Sequence, residues 1–439
     1  MAIQTSKRVC VVGLGRVGLT LATTLANIGF QVAGIDKNRD TVARLREGLP
    51  PFFERGLESA LQRCLDRTLT IQDRITTDGY DACIICVGTP LDPASGRAHL
   101  EPLIAASEEV GQALHPGSLV IVRSTVPVGA TRGVVQPALR RHQDEFSLAT
   151  CPERTVEGQA LTELRQLPQV IGGLDQESVD RAVQLFSHVT ATTVRVASVE
   201  AAEMTKLIDN SYRDLNFAFA NEVALMAETL GLDGSEVIRS ANLGYPRNNI
   251  PGPGFVGGTC LSKDPHILIE SAAAAGSQFK LASVARDVNA SLPGYMVEKL
   301  QRSLKSAGKR LQDSKVLVAG VAFKGRPDND DVRDSPALAL IQCLSGGNGH
   351  GPAVFGHDFV VPEAVMRGYD IQPCSLEEGF RDADAVIFAN NHPAYHQLNI
   401  ARLASLMNHP AVIADAWHIF DREDIAALDG IIYGGLGVG

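Results

Sequence analysis

Apolar residues gather early into short runs that glycine closes. Arg8-Val-Cys-Val-Val12 leads into Gly13-Leu-Gly15-Arg16-Val17-Gly18, and an apolar stripe at helical spacing continues from there to Gly29. A second run, Gln31-Val-Ala-Gly-Ile35, ends on Asp36. Short apolar runs bounded by glycine predict buried strands, and the stripe between them predicts a helix. Two more runs, Ala82–Val87 and Ser118–Arg123, close in Gly88-Thr89-Pro90 and Ser124-Thr125-Val126-Pro127. Strand alternating with helix in this way predicts an α/β fold built on a doubly wound, mostly parallel sheet.

The pattern changes at Val199. From there to Leu230 apolar positions recur at helical spacing without a breaker, which predicts a helix of about thirty residues. That is longer than a small domain needs and suits a connector or dimer element. Residues 280–300 predict another helix, and Arg302–Asp313 a polar linker. The third section then repeats the first in outline. Lys315-Val-Leu-Val-Ala-Gly320 matches Val9–Gly13 at an offset of 307, Val354-Phe-Gly-His-Asp358 matches Val32–Asp36, and Asp384–Ala389 matches Asp81–Cys86. A second Rossmann-like sheet is expected, with Phe323-Lys324-Gly325 in place of the glycine fingerprint. Gly346–Pro352 is expected to be a flexible loop and Tyr433–Gly439 a frayed tail. The expected domains are 1–198, a dinucleotide-binding Rossmann domain; 199–305, a helical dimerisation region carrying a cysteine loop; and 306–439, a Rossmann-like domain for a second nucleotide.

The chain has 439 residues, 45% hydrophobic and 21% charged, enough for more than one ordinary globular core. Its net charge of −10 argues against a general nucleic-acid or anionic-membrane surface. Lys7 and Arg8 before an apolar run imitate a signal peptide, but Gly13, Gly15, Arg16 and Gly18 interrupt it. No apolar run reaches membrane-spanning length, and a cytoplasmic protein is expected. Eight cysteines without framework spacing suit reduced thiols. Cys83 and Cys86 lie in an apparent strand and so face opposite ways. His392 and His396 flank Pro393 with no acidic or thiol partner nearby. No metal site is expected.

Strand, glycines, helix, strand and terminal acid arrive in the order of a dinucleotide site. The glycines permit a tight turn that places pyrophosphate at a helix N-terminus. Asp36, 18 residues after Gly18, is placed to accept from the adenosine ribose hydroxyls. A carboxylate there would repel a 2′-phosphate, so NAD is expected over NADP. Thr89 and Thr125 sit at strand ends, where ligands bind open parallel sheets. Glu153 and Glu157 flank Arg154, either as a solvated ion-pair cluster or as substrate contacts. Lys206 and Asn210, at i and i+4, share a helix face. They suit either a polar stripe or the deprotonation of an alcohol and stabilisation of an oxyanion. Lys324 and Arg333 suit the phosphates of another nucleotide.

The stretch Pro251-Gly-Pro-Gly-Phe-Val-Gly-Gly-Thr-Cys260-Leu-Ser-Lys263-Asp264-Pro265 concentrates glycines around one cysteine, a density that lets the backbone adopt positive φ and approach a ligand closely. Asp264 reads as an N-cap, and Pro265 as the first turn, of a helix carrying the apolar run His266–Ala275. A thiol near a helix start and beside a lysine is placed to ionise more readily than a free cysteine. The plain alternative is a glycine-rich turn holding an incidental buried cysteine.

Together these pieces resemble the UDP-glucose/GDP-mannose dehydrogenase family over nearly the whole chain. The matching pieces are Gly13–Gly18, Gly88-Thr-Pro90, Ser124–Pro127, Cys151-Pro-Glu-Arg154, Lys206 with Asn210, Gly257-Gly-Thr-Cys260 with Lys263-Asp264, and Phe323-Lys324 with Arg333-Asp-Ser335. Asn210–Asp214 and Gly244–Gly254 resemble the UDP-N-acetylhexosamine branch, especially UDP-N-acetyl-D-mannosamine dehydrogenases. Thr259 stands where many of that branch carry histidine, and Glu157-Gly158 and Lys263-Asp264 are nearer the UDP-glucose pattern. The resemblance implies NAD-dependent, four-electron oxidation of a nucleotide sugar at C6 to a uronic acid, for surface polysaccharide. Cys260 would carry a thiohemiacetal and then a thioester, because an aldehyde has no hydride to give until a nucleophile adds. Lys206 would act as base or oxyanion partner beside Asn210, Asp264 would orient lysine or water, and Glu157 would activate water. Glu153 and Thr125 would line the site. Arg213, Gly257, Lys324 and Arg333 would contact substrate, and Arg247 a neighbouring subunit's substrate, in a homodimer or higher oligomer. The alternatives are UDP-glucose, UDP-N-acetylglucosamine or GDP-mannose as substrate. More distant ones are a single-step β-hydroxyacid dehydrogenase and a non-catalytic NAD-binding regulator.

Overall fold

Each glycine-closed apolar run becomes a strand, and the strands assemble into two sheets. The computed structural model describes residues 7–76, 79–346, 351–369 and 371–438. The chain divides into two compact units: residues up to Asp209 with His266–Phe279, and Asn210–Pro265 with Lys280 onward.

The first unit holds strands β1 (Arg8–Val12), β2 (Gln31–Ile35), β3 (Leu69–Gln72), β4 (Ala82–Ile85), β5 (Ser118–Val122), β6 (Phe146–Thr150), β7 (Gln169–Gly173) and β8 (Thr193–Arg195). Their order is β3-β2-β1-β4-β5-β6-β7-β8, parallel throughout except between β6 and β7. Alternate side chains enter separate cores: Val9 and Val11 join one face, Cys10 and Val12 the other. This burial on both faces explains why the strands read as unbroken apolar runs. Cys83 and Cys86 fall in these two different cores, and burial pushes the Cys86 thiol up to about 12.

The second unit repeats the design with β9 (Lys315–Ala319), β10 (Ala353–His357), β11 (Gln372–Pro373), β12 (Ala385–Phe388), β13 (Ala411–Asp415) and β14 (Ile431–Gly435). The order β11-β10-β9-β12-β13-β14 is parallel throughout. In both sheets the strand order reverses beside the first strand, which opens a crevice at the carboxyl ends of the strands.

The long helix spans Val199–Thr229. Three expectations are corrected. The polar linker from Arg302 does not exist as such: the second long helix runs Lys280–Ser306, because Leu300 and Leu304 face the core. The tail is not frayed: β14 pairs with β13 from Ala411↔Ile431 to Asp415↔Gly435, and Leu436 and Val438 are buried. Lys299 Nζ donates to Gly435 O (2.7 Å) and Val438 O (2.8 Å), which ties that end down. Asp264 lies inside the first turn of the helix Asp264–Ala274 rather than ahead of it. The expected loop at Gly346–Pro352 falls largely on 347–350, outside the described residues.

Candidate active-site elements

In the first unit the glycines form the turn between β1 and the helix Arg16–Ile28. Gly13 has φ +90°, and a Cβ there would lie 2.8 Å from Cys86 O. A Cβ on Gly18 would lie 1.8 Å from Gly13 O, so only glycine lets the helix approach the strand this closely. At Gly15 the added atom would meet nothing within 4 Å. Gly15 is also the helix N-cap and offers no side chain to the first-turn N–H groups. An open space against an uncapped helix start fits a pyrophosphate.

Asp36 supports this turn as well as facing it. Its Oδ2 accepts from Leu14 N (2.8 Å) and its Oδ1 from Asn38 N (2.9 Å). Arg16 lies over the Phe52 ring (4.8 Å) with its Nε 3.7 Å from Glu157 Oε2. Val17 is half-buried in the same turn. Thr89 Oγ1 donates to Thr125 O (2.5 Å), joining the loops that follow β4 and β5.

Glu153 is buried against Arg123, whose Nη2 lies 2.5 Å from Glu153 Oε2. Burial alone would raise this carboxyl, but the Arg123 charge and the N–H groups of Thr155 and Arg154 hold it below the ordinary carboxylate range. Arg123 was not singled out in the sequence, since it reads as the polar end of a strand. Glu54 was also missed. Its carboxylate accepts from Gly158 N (2.7 Å) and Ala160 N (2.9 Å), capping the helix Ala160–Gln166 from 104 and 106 positions away. No local signal marks either pairing.

In the second unit the cysteine loop is shaped by protein packing. Added Cβ atoms would come within 2.6 Å of Trp417 at Gly254, 2.4 Å of Asp334 O and Pro336 at Gly257, and 2.4 Å of Phe323 at Gly258. Gly258 N donates to Asp334 O (2.9 Å). These three glycines therefore serve close packing on loops of the second sheet. The turn Gly258–Leu261 that follows leaves Cys260 exposed, which sets aside the buried-cysteine alternative. Cys10, Cys64, Cys83, Cys86 and Cys151 are buried.

Near Cys260, Asn210 Nδ2 donates to Asp264 Oδ2 (2.6 Å) and Lys263 Nζ lies 3.3 Å from Asp264 Oδ1. Asp264 is 1% exposed, so an amide and an ammonium meet a carboxylate removed from water. Lys206 is buried one helical turn before Asn210. Arg213 is exposed on the same helix. Arg247 lies over the Tyr245 ring (4.8 Å) in an exposed loop. Arg333 is held bidentately by Asp331, with Nη2–Oδ2 2.6 Å and Nε–Oδ1 2.9 Å. Lys324 Nζ sits 5.2 Å from the Phe323 ring centroid.

Three family descriptions match the chain in order. They are the NAD binding domain of the UDP-glucose/GDP-mannose dehydrogenase family at residues 7–190, its central domain at 200–291 and its UDP binding domain at 317–422. A UDP-N-acetyl-D-mannosamine dehydrogenase of Methanocaldococcus jannaschii is 34% identical over 95% of this chain and 93% of its own. The solved structure of a UDP-N-acetyl-D-mannosamine dehydrogenase from Pyrococcus horikoshii superimposes with a TM-score of 0.87 at 30% identity, covering 98% of this chain and 99% of the other. A UDP-glucose dehydrogenase from Pyrobaculum islandicum superimposes with a TM-score of 0.88, also at 30% identity, over all of both chains. Among the described residues no helix is long and apolar enough to cross a membrane.

Proposed function

The chain belongs to the UDP-glucose/GDP-mannose dehydrogenase family, NAD-dependent oxidoreductases of nucleotide sugars, and on that premise we propose that it oxidises C6 of UDP-N-acetyl-D-mannosamine twice to give the uronic acid. The observation that carries the four-electron reading is Cys260, exposed on a turn beside the Asn210–Asp264–Lys263 cluster. The substrate rests on the names of the relatives, and the equal match to a UDP-glucose dehydrogenase makes UDP-glucose the competitor.

Gly13, Gly15 and Gly18 with the N–H groups of Arg16 and Val17 would hold the pyrophosphate of NAD, and Asp36 its ribose; the cofactor would supply the hydride acceptor for each oxidation. Lys206 takes the proton of the C6 alcohol, with Asn210 alongside. The Cys260 thiolate adds to the resulting aldehyde and carries the thioester that water hydrolyses. Asp264, held by Asn210 and Lys263, orients that water. Glu157 stands beside Arg16 at the glycine turn, which supports a place on the cofactor side. Lys324 and Arg333 take the sugar nucleotide's diphosphate; the Asp331 pair presents the Arg333 guanidinium in one orientation.

The long helix exposes Tyr212, Phe219 and Met226 at heptad spacing, and Leu230, Leu243 and Leu281 are exposed in the same unit. Large apolar side chains in that number support a homodimer built on this helix. Eight cysteines with no disulfide among the described residues support a reducing, cytoplasmic setting. The deciding experiment offers NAD with UDP-N-acetyl-D-mannosamine, UDP-glucose, UDP-N-acetylglucosamine or GDP-mannose and quantifies NADH and acid. Two NADH per acid, with UDP-N-acetyl-D-mannosamine the best substrate by kcat/KM, is expected. A preference for UDP-glucose would overturn the substrate, and one NADH per sugar the mechanism.

A further inference from the structure

A buried polar network in the second unit touches both ends of the cysteine loop. Asn221, on the long helix, meets Gly254 as a neighbouring strand would: Gly254 N donates to Asn221 Oδ1 (2.9 Å) and Asn221 Nδ2 donates to Gly254 O (3.1 Å). The same amide nitrogen donates to Asn289 Oδ1 (2.9 Å) on the helix Lys280–Ser306. Asn289 Nδ2 then donates to Asp214 Oδ1 (2.9 Å) and Asp214 O (2.9 Å), about two turns back from Asn221 along the long helix. Arg286 Nη1 closes the chain, donating to Asp214 Oδ1 (2.7 Å) and to Leu261 O (2.9 Å). Leu261 follows Cys260 directly, and Gly254 precedes it by six residues.

Every member is buried: Asp214 and Asn221 are 0% exposed, Asn289 2% and Arg286 7%. Each amide presents its oxygen to a donor and its nitrogen to acceptors, so turning either one would break three hydrogen bonds. Stability alone is a poor reason for such a network. A buried ion pair is weak evidence of stabilisation, and Asp214 Oδ2 is buried with no hydrogen-bond partner among the described residues. Packing on the second sheet shapes the middle of the eight-residue path Gly254 to Leu261, and the network adds polar anchors at its two ends, where the glycines leave the backbone little rigidity of its own.

We infer that Asn221, Asn289, Asp214 and Arg286 are positioning residues that clamp the Cys260 turn at both ends and so set where its Sγ stands for attack. The inference rests on the reading of Cys260 as the nucleophile. A reacting atom displaced by about 1 Å costs about a hundredfold in rate, and a loop held at one end only allows such a shift.

The test uses the full chain with Asn221→Ala, Arg286→Met and Arg286→Lys, each checked for folding by circular dichroism and gel filtration. Asn221→Ala frees the Gly254 end without stranding a charge. Arg286→Met frees the Leu261 end but leaves the Asp214 carboxylate buried alone, so Asn221→Ala decides the matter if that variant does not fold. In Asn221→Ala and Arg286→Met, kcat is expected to fall about a hundredfold, while KM for the nucleotide sugar and NAD affinity stay within about threefold of wild type. Arg286→Lys, which keeps the charge and a donor, should recover part of the loss. A second readout needs no turnover: the pH profile of Cys260 alkylation by iodoacetamide, followed by peptide mass, with exposed Cys343 as internal standard. It should change in the variants at Cys260 and not at Cys343. Wild-type kcat with a wild-type alkylation profile in a folded Asn221→Ala would overturn the clamp, as would a raised KM with kcat unchanged. Failure of the nucleophile reading looks different. A Cys260→Ser enzyme that still makes acid would remove the catalytic role while the variants' alkylation profiles still reported the clamp.

Discussion

The two sheets share a strand order and differ in what occupies the turn after their first strand. After β1, Gly15 leaves open space beside an uncapped helix start. After β9 the corresponding region is filled by protein: a Cβ on Gly320 would lie 2.5 Å from Asn390, one on Gly325 2.0 Å from His392 N, and the Phe323 ring is packed against Gly258. The acids that end the second strands diverge in the same way. Asp36 accepts from the N–H groups of Leu14 and Asn38. Asp358 accepts from four: Val321 (2.8 Å), Ala322 (3.0 Å), Val360 (2.8 Å) and Val361 (3.1 Å). One topology thus serves as a cradle in the first unit and as a platform for the cysteine loop in the second. Strand order supplies a crevice, but the side chains at the turn decide whether a ligand or the protein fills it.

The largest expected effect lies on the platform side. Cys260→Ser should lower turnover by about a thousandfold or more, since a hydroxyl is almost wholly protonated where a thiol supplies thiolate. NAD and nucleotide-sugar binding should survive. Single-turnover NADH with quenched product analysis checks this, and acid formed at near-normal rate would break the comparison.

Matched glycine substitutions come next. Gly18→Ala drives a methyl into Gly13 O and should weaken NAD binding about a hundredfold with nucleotide-sugar affinity kept. Gly258→Ala, at φ +83° and against Phe323, should do the reverse, lowering kcat with NAD affinity kept. Calorimetric titration of both ligands into both variants separates the two; NAD affinity lost equally in each would erase the distinction.

The paired acids should part on stability. Asp358→Ala removes four hydrogen bonds to a carboxylate and is expected to cost about 3 kcal/mol in chemical denaturation without altering NAD affinity. Asp36→Ala should cost about 1 kcal/mol, weaken NAD and relax the rejection of NADP. Wild-type turnover with NADP equal to that with NAD would remove the role given to Asp36.

At one pair of matching positions a pH effect should arise on the second sheet only. Ile35 and His357 occupy matching positions, each accepting at its carbonyl from the glycine after the first strand. Burial lowers the His357 imidazole to about 4, against the opposing charge of Asp358. Because the folded value is depressed, the stability it contributes is present above the ordinary histidine range and lost as pH falls towards about 4. His357→Phe should therefore reduce the acid loss between about pH 6.5 and about pH 4 by about 2 kcal/mol, read by denaturation at each pH. The smallest effect concerns Arg333→Met, expected to raise KM for the nucleotide sugar about tenfold with NAD affinity unchanged. An equal loss of NAD affinity would reverse the assignment.

Much of this was legible from local pattern. Apolar runs closed by glycine, the offset repeat at Lys315–Gly320 and the uninterrupted stripe from Val199 are short-range features, and burial on both faces of a parallel sheet writes them directly into the chain. The glycine turn and the place of Asp36 beside it were legible too, because the strand–turn–helix–strand spacing dictates both. Tertiary structure alone decided the rest. The glycines around Cys260 read as room for a ligand, yet Gly254, Gly257 and Gly258 make room for Trp417, Pro336 and Phe323. Tyr433–Gly435 read as a tail because glycine hides a strand whose partner, β13, supplies its order. Arg123 with Glu153 and Arg286 with Asp214 lie 30 and 72 positions apart. Such pairs are invisible to periodicity, because a charge finds its partner only once the folded chain has excluded water from both.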